Sequence, residues 1–118
     1  MCNNKEIGNF GENMAASYLT QKGYHILYRN WRVKHLEIDI IASKEKYLHI
    51  VEVKTRSSVE YGYPESFIRK EKMQFLKNAA ALFQYQNPVW VYLQFDIISI
   101  FKNRKNKWEL NFFEDVYF

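Results

Sequence analysis

The chain holds one cysteine, Cys2, in 118 residues. No intramolecular disulfide can form and no cysteine cluster is available for zinc, which fits a reducing, cytoplasmic setting. Glycine occurs four times and proline twice, and those few breaks delimit the elements. No repeat, linker or low-complexity tract interrupts the chain. No run of about 18 apolar residues is present, so no membrane span is expected. The first twenty residues lack a basic segment followed by an apolar stretch, so no secretory signal is expected. G-x-x-x-x-G-K, G-x-G-x-x-G and G-x-S-x-G are all missing. ATP hydrolysis, dinucleotide binding and α/β-hydrolase chemistry therefore have no support.

What the chain does have is apolar and aromatic bulk. Hydrophobic residues make up 47% and aromatics 18%, enough for one folded domain and too much for global disorder. The net charge is +4, a mild lean toward polyanions, nucleic acid first.

Ile7, Phe10, Met14, Ala15, Tyr18 and Leu19 keep helical spacing, and Gly23 closes the run, predicting a helix over about residues 5–22. Strands are expected at 24–33, 36–42 and 47–55, with a polar turn S-K-E-K between the last two. A loop with Gly62 and Pro64 leads to a second helix over 65–86. Its apolar stripe is Ile68, Phe75, Leu76, Ala79, Leu82 and Phe83. Strands at 89–102 and 107–118 follow. The order α-β-β-β-α-β-β predicts an α/β fold, a mixed central sheet flanked by helices. A crossover through the second helix makes the fourth strand parallel to the third.

Side chains alternate faces along a strand. Leu48, Ile50, Glu52 and Lys54 share one face of the third strand, and a hairpin loop of even length puts Asp39 on that face too. Two carboxylates and a lysine then converge among isoleucines and valines, where uncompensated charge is costly. A divalent cation would neutralise the acids. Asp39, Glu52 and the Val53 carbonyl make an oxygen site suited to Mg²⁺ or Mn²⁺. Lys54, about 6–7 Å along the strand from Glu52, is in position to orient a water or face a phosphoryl group. E-x-K on a strand also reads as a solvated salt-bridge face. The flanking strings I-D-I-I and I-V-E-V-K favour a central strand. Glu12 lies at the edge of the first helix's apolar stripe. It reads either as an exposed helix glutamate or as a carboxylate leaning toward the cation. Lys72 falls inside the second helix's stripe and either snorkels to the rim or meets a phosphate.

Asp39 followed by E-V-K on the next strand resembles the layout of the PD-(D/E)xK nuclease superfamily. More closely, the chain resembles the bacterial YraN family of endonuclease-like proteins. GNFGENMAASYLTQKGYHILYRNWR, EIDIIA, IVEVKTR, GYPES, Lys72 with LKNAA, and VYLQFDIISI carry the likeness over about residues 8–101. The resemblance implies a restriction-endonuclease-like core spanning 1–118 as one endonuclease-like domain. It implies kinship with archaeal Holliday-junction resolvases, in which a helix glutamate, a strand aspartate and E-x-K bind metal. In this chain those are Glu12, Asp39, Glu52 and Lys54. Ile38 stands where the superfamily's name has proline, and Leu36 where the family usually has glycine.

Arg56, Arg69, Lys70, Lys72 and Lys77 cluster on or beside this site in sequence, and phosphate contacts from them would give salt-dependent, sequence-independent binding. The turn K-N-R-K-N-K (102–107) is a second basic segment, or a solvated hairpin tip. Tyr61 and Tyr63 stack on unpaired bases or pack on their own loop. His35 reads as solvent-facing at a strand start, and His25 and His49 as strand-surface residues. The first expectation is a metal-dependent nuclease acting on nucleic acid, DNA before RNA, including branched DNA. A non-catalytic nucleic-acid-binding module on the same fold is the alternative. A third is an interaction protein whose aromatic tail (Trp108, Phe112, Phe113, Tyr117, Phe118) docks a partner or completes the core. A homodimer would supply the two symmetry-related sites that cutting a junction or duplex needs.

Overall fold

A computed structural model describes residues 4–57 and 70–116. Among the described residues, the first helix, α1, covers Asn4–Gln21. Its end is a Schellman turn at Gly23, whose φ of +92° a residue with a side chain rarely adopts. The Tyr24 N–H reaches the Leu19 carbonyl at 3.0 Å and the Gly23 N–H reaches Thr20 at 3.1 Å. That turn folds Tyr24 back into the same apolar cluster as Leu19.

The chain then forms strands β1 (His25–Val33), β2 (Leu36–Lys44) and β3 (Tyr47–Arg56). Helix α2 (Lys70–Gln86) precedes β4 (Tyr92–Lys102) and β5 (Trp108–Phe113). The strands lie in sequence order across one mixed sheet. β3 and β4 run parallel and the other neighbours antiparallel, as the helical crossover requires. The predicted α/β architecture and element order are those observed, and the layout is restriction-endonuclease-like. β2 runs two residues further than its apolar pattern suggested, because Ser43 and Lys44 still pair with Leu48 and Tyr47. The hairpin loop is thus Glu45–Lys46.

The two faces of the sheet carry separate cores. Ala15 and Leu19 of α1 pack on Ile40, Ala42, Val51, Ile98 and Ile100. Met73, Leu76, Ala79, Ala80 and Phe83 of α2 pack on Ile38, Ile41, Leu48, Ile50 and Ile97. Phe75, expected in the α2 stripe, is 48% exposed and meets the ring of His35 edge-on. Met73 and Ala80 take the inner positions instead; Ile68 lies outside the described residues. Trp108, Phe112 and Phe113 complete the core, Trp108 against Phe10 and Phe112 against Tyr18 and Tyr24. Tyr117 and Phe118 lie outside the described residues.

Two departures from regular geometry position the site. Gly11 faces β3 so closely that a Cβ there would overlap the side chain of Thr55. Gly11 and Ala15 thus let α1 lie down on β3, with Glu12 beside the sheet. Asn30 is a mid-strand residue with φ of +53°, between the pairs Arg29↔Ile40 and Trp31↔Ile38. Asparagine tolerates this left-handed conformation better than most residues. The strand phase shifts there. Tyr28 and Trp31, three apart, both meet Phe83 of α2 edge-on, and Ile38 and Ile41 opposite them both join the α2 core. The break falls opposite Asp39.

Candidate active site

The β2–β3 register runs as far as Ile40 opposite Val51, one residue short of Asp39 and Glu52. Regular pairing stops there. The Asp39 carboxylate accepts the Val53 backbone N–H at 2.9 Å, taking over a donor that the splayed ladder leaves free. The Asp39 side chain thus comes to the backbone of the residue after Glu52, and its charge acts on Glu52.

Glu52 is buried, 5% exposed, on the α2 face of β3. Ile50, Met73, Leu76, Phe95 and Ile97 line a void of about 10 Å³ beside it. That volume holds about one water at most. Two ammonium groups reach the same oxygen: Lys54 Nζ and Lys72 Nζ each lie 3.6 Å from Glu52 Oε1. Glu52 Oε2 is buried with no hydrogen-bond partner among the described residues. Burial, then repulsion from Asp39, pushes the Glu52 carboxyl up to about 7, against the pull of Lys72 and Lys54. Asp39 is also raised above its ordinary value by burial, against its bond from Val53 and the pull of Lys72 and Lys54; Glu37 adds to the rise. Two crowded, partly desolvated acids behave as one coupled unit.

Glu12 reaches this field without joining the pair by contact. Its carboxylate accepts a hydrogen bond from Asn30 Nδ2 at 2.8 Å and pairs with Arg29 Nε at 3.5 Å. Burial and the charge of Asp39 raise its carboxyl, against Arg29 and Asn30. Among the described residues no three histidine, cysteine or acidic side chains already converge as a metal cluster. The donor set nonetheless fits an oxygen-seeking cation. Glu52 offers an unsatisfied buried oxygen, Asp39 stands opposite, Val53 is tied between them through its backbone, and Glu12 approaches from α1.

The expected phosphate-binding cations separate into groups. Lys72 lies on Glu52. Arg56 ends β3, its guanidinium donating to the Thr55 carbonyl at 3.2 Å. Lys77 is exposed on α2. Lys70 enters as the first residue of α2; Arg69, Tyr61 and Tyr63 lie outside the described residues. Residues 102–107 form a hairpin tip, with Asn103 Oδ1 accepting the N–H groups of Lys105 and Lys107.

One histidine reading is overturned. His49 is not a surface residue: it is 5% exposed, and its Nδ1 lies 2.7 Å from the buried carboxylate of Asp96. Tyr24 covers its ring edge-on. The partner stands 47 residues away, so local alternation gave no sign of it. His25 and His35 are exposed, as expected. Asn30 and Gly11, which place Glu12, were also missed as site-builders. An asparagine amid β-formers, and a glycine four residues before Ala15 on a helix, are the signals that were present.

A mixed sheet between two helices, with a strand aspartate, a buried E-x-K glutamate and an approaching helix glutamate, defines a restriction-endonuclease-like α/β protein. The chain belongs to Uncharacterised protein family UPF0102, whose match covers residues 11–100. It is 42% identical over 118 residues to a UPF0102 protein of Flavobacterium psychrophilum, covering 100% of this chain and 98% of that one. A UPF0102 protein of Caldicellulosiruptor saccharolyticus is 42% identical over 106 residues, covering 89% of this chain and 90% of that one. One of Clostridium perfringens is 37% identical over 116 residues, covering 97% and 95%. Among the described residues no helix is long and apolar enough to cross a membrane.

Proposed function

We propose that this protein is a divalent-metal-dependent nuclease that hydrolyses phosphodiester bonds in DNA. The observation that carries the reading is Glu52: a buried carboxylate with one oxygen unpaired among the described residues, opposed by Asp39 and flanked by lysines. A protein does not keep two such acids together without a counter-charge that repays their desolvation. Asp39, Glu52 and the Val53 carbonyl would hold Mg²⁺ or Mn²⁺, with Glu12 as a third carboxylate. The cation, when bound, supplies charge neutralisation for the phosphodiester and activation of water.

The chain's own groups do the rest. Lys54, its side chain 21% exposed, stands between buried Glu52 and solvent, where its ammonium orients the attacking water or faces the phosphate. Asp39 fixes Val53, and with it the backbone between Glu52 and Lys54. Arg29 and Asn30 set the carboxylate of Glu12. Arg56, Arg69, Lys70 and Lys72 are the residues assigned to phosphate contacts. A homodimer would present two such sites to a duplex or a junction.

The same lysines support a second reading. Lys54 and Lys72 already offset the Glu52 charge, so a non-catalytic module that binds nucleic acid with its basic residues is the alternative. Incubation of branched, duplex and single-stranded DNA with Mg²⁺ or Mn²⁺ separates the two. The nuclease reading expects cleavage that chelation stops. Asp39→Ala and Lys54→Ala should each lose about 10²-fold or more, the scale of removing one preorganised electrostatic group. Full cleavage by either variant, from a preparation free of contaminating nuclease, would sink the mechanism. Salt-sensitive binding without cleavage by the wild type would favour the module.

A further inference from the structure

We infer that Lys72 is a stored phosphate ligand: it neutralises Glu52 while the site lacks a cation, and passes to a nucleic-acid phosphate when a divalent cation takes over that carboxylate. The inference rests on the proposed metal site and adds a coupling to it, making phosphate affinity at this position depend on cation occupancy.

The geometry that carries it is the crowding of one oxygen. Lys54 and Lys72 come from different elements, β3 and the first turn of α2, yet both ammonium groups lie 3.6 Å from Glu52 Oε1, while Oε2 has no partner among the described residues. One acid does not need two lysines. The two are also unequally placed. Lys54 is 21% exposed and rises from the sheet two residues along the same strand, with less open solvent around its ammonium to turn into. Lys72 is 40% exposed, on a long flexible stem that reaches the site from its rim. A divalent cation on Glu52 and Asp39 repels both ammonium groups at short range, and Lys72 is the one free to turn outward. Its ammonium then stands at the mouth of the site, where a backbone phosphate is the complementary charge.

Two measurements on Lys72→Gln test this, each set against the wild type. In the first, Mn²⁺ alone is titrated by calorimetry. Removing a competing cation should tighten Mn²⁺ binding roughly three- to fivefold, the scale of a partly exposed ion pair. Lys72→Arg, which keeps the charge, should match the wild type. In the second, affinity for a duplex DNA oligonucleotide is followed against salt, in Ca²⁺ and in chelator. With Ca²⁺ the variant should lose about one unit of the slope of log affinity against log salt. In chelator its slope should equal that of the wild type.

Unchanged or weaker Mn²⁺ binding by Lys72→Gln, in a wild type that binds Mn²⁺, overturns the inference and leaves the metal site standing. An equal loss of DNA affinity with and without cation also overturns it, making Lys72 a permanent phosphate contact. A wild type that binds no Mn²⁺, alone or with DNA, removes the metal reading and this inference together. Far-ultraviolet circular dichroism checks the fold; should the glutamine variant not fold, Lys72→Met keeps the apolar stem for the same comparison.

Discussion

Asp39 accepts the backbone N–H of Val53 at 2.9 Å, so a side chain on β2 does the work of a ladder hydrogen bond to β3. One carboxylate thereby has two tasks, holding the strand pair where regular pairing ends and facing Glu52. The tasks separate by mutation. Asp39→Ala leaves the Val53 N–H unmet, at a cost of about 1–3 kcal/mol, reduced by the repulsion it relieves. Asp39→Asn keeps an acceptor and should unfold at a higher temperature than Asp39→Ala. Both should lose cleavage by about 10²-fold or more. Equal melting temperatures for the two would show that the bond contributes nothing to stability.

The raised Glu52 carboxyl makes stability depend on pH. Between about pH 4.5 and 7 the folded chain keeps a proton that the unfolded chain has released. The stabilisation is complete below that window, is lost as pH rises through it, and is level above. The loss should be on the order of 3 kcal/mol. Glu52→Gln should flatten this part of the profile, measured by denaturant melts from pH 4 to 8 without metal. Saturating Mn²⁺ should raise the melting temperature at pH 8 and lose this effect near pH 5, because the cation needs the deprotonated acids.

Close approach of α1 to β3 rests on Gly11. Gly11→Ala gains helix propensity but drives a methyl into Thr55, and overpacking of about 1–3 kcal/mol should win. Thr55→Ala in the same chain should recover part of the loss. Thermal melts of the single and double variants check this. A stabilised Gly11→Ala protein would mean that α1 moves away without cost.

His49 and Asp96 are structural in this account. Asp96 Oδ2 lies 2.7 Å from the His49 ring, and Oδ1 accepts from Gln94 and from the Asp115 N–H. Asp96→Ala leaves all three groups without that partner and should cost about 1–3 kcal/mol for each one that stays buried and unmet. Folded Asp96→Ala protein should still bind Mn²⁺ as the wild type does. A tenfold weaker metal affinity at full folding would give this pair a part in the site.

Much of this was legible because it depends on short-range periodicity. The alternation in β3 put Glu52 and Lys54 on one face, and the even hairpin loop brought Asp39 beside them. The loop, Glu45–Lys46, is shorter than the polar string but of the same parity, so Ile40 still falls opposite Val51. What was hidden depends on long-range partners or on single dihedrals. Asn30 sits among β-formers, and its left-handed φ is what changes the strand phase opposite Asp39. His49 alternates like a surface residue until Asp96 arrives on β4. Phe75 keeps helical spacing with Leu76 and Ala79, yet α2 turns Met73 and Ala80 inward instead.

Whether Asp39 and Glu52 hold a divalent cation is decided by calorimetric titration of Mn²⁺ into the wild type and Glu52→Ala at pH 8. A cation held by both acids gives a stoichiometric site in the wild type that the variant loses. The same Mn²⁺ affinity in both proteins would contradict it.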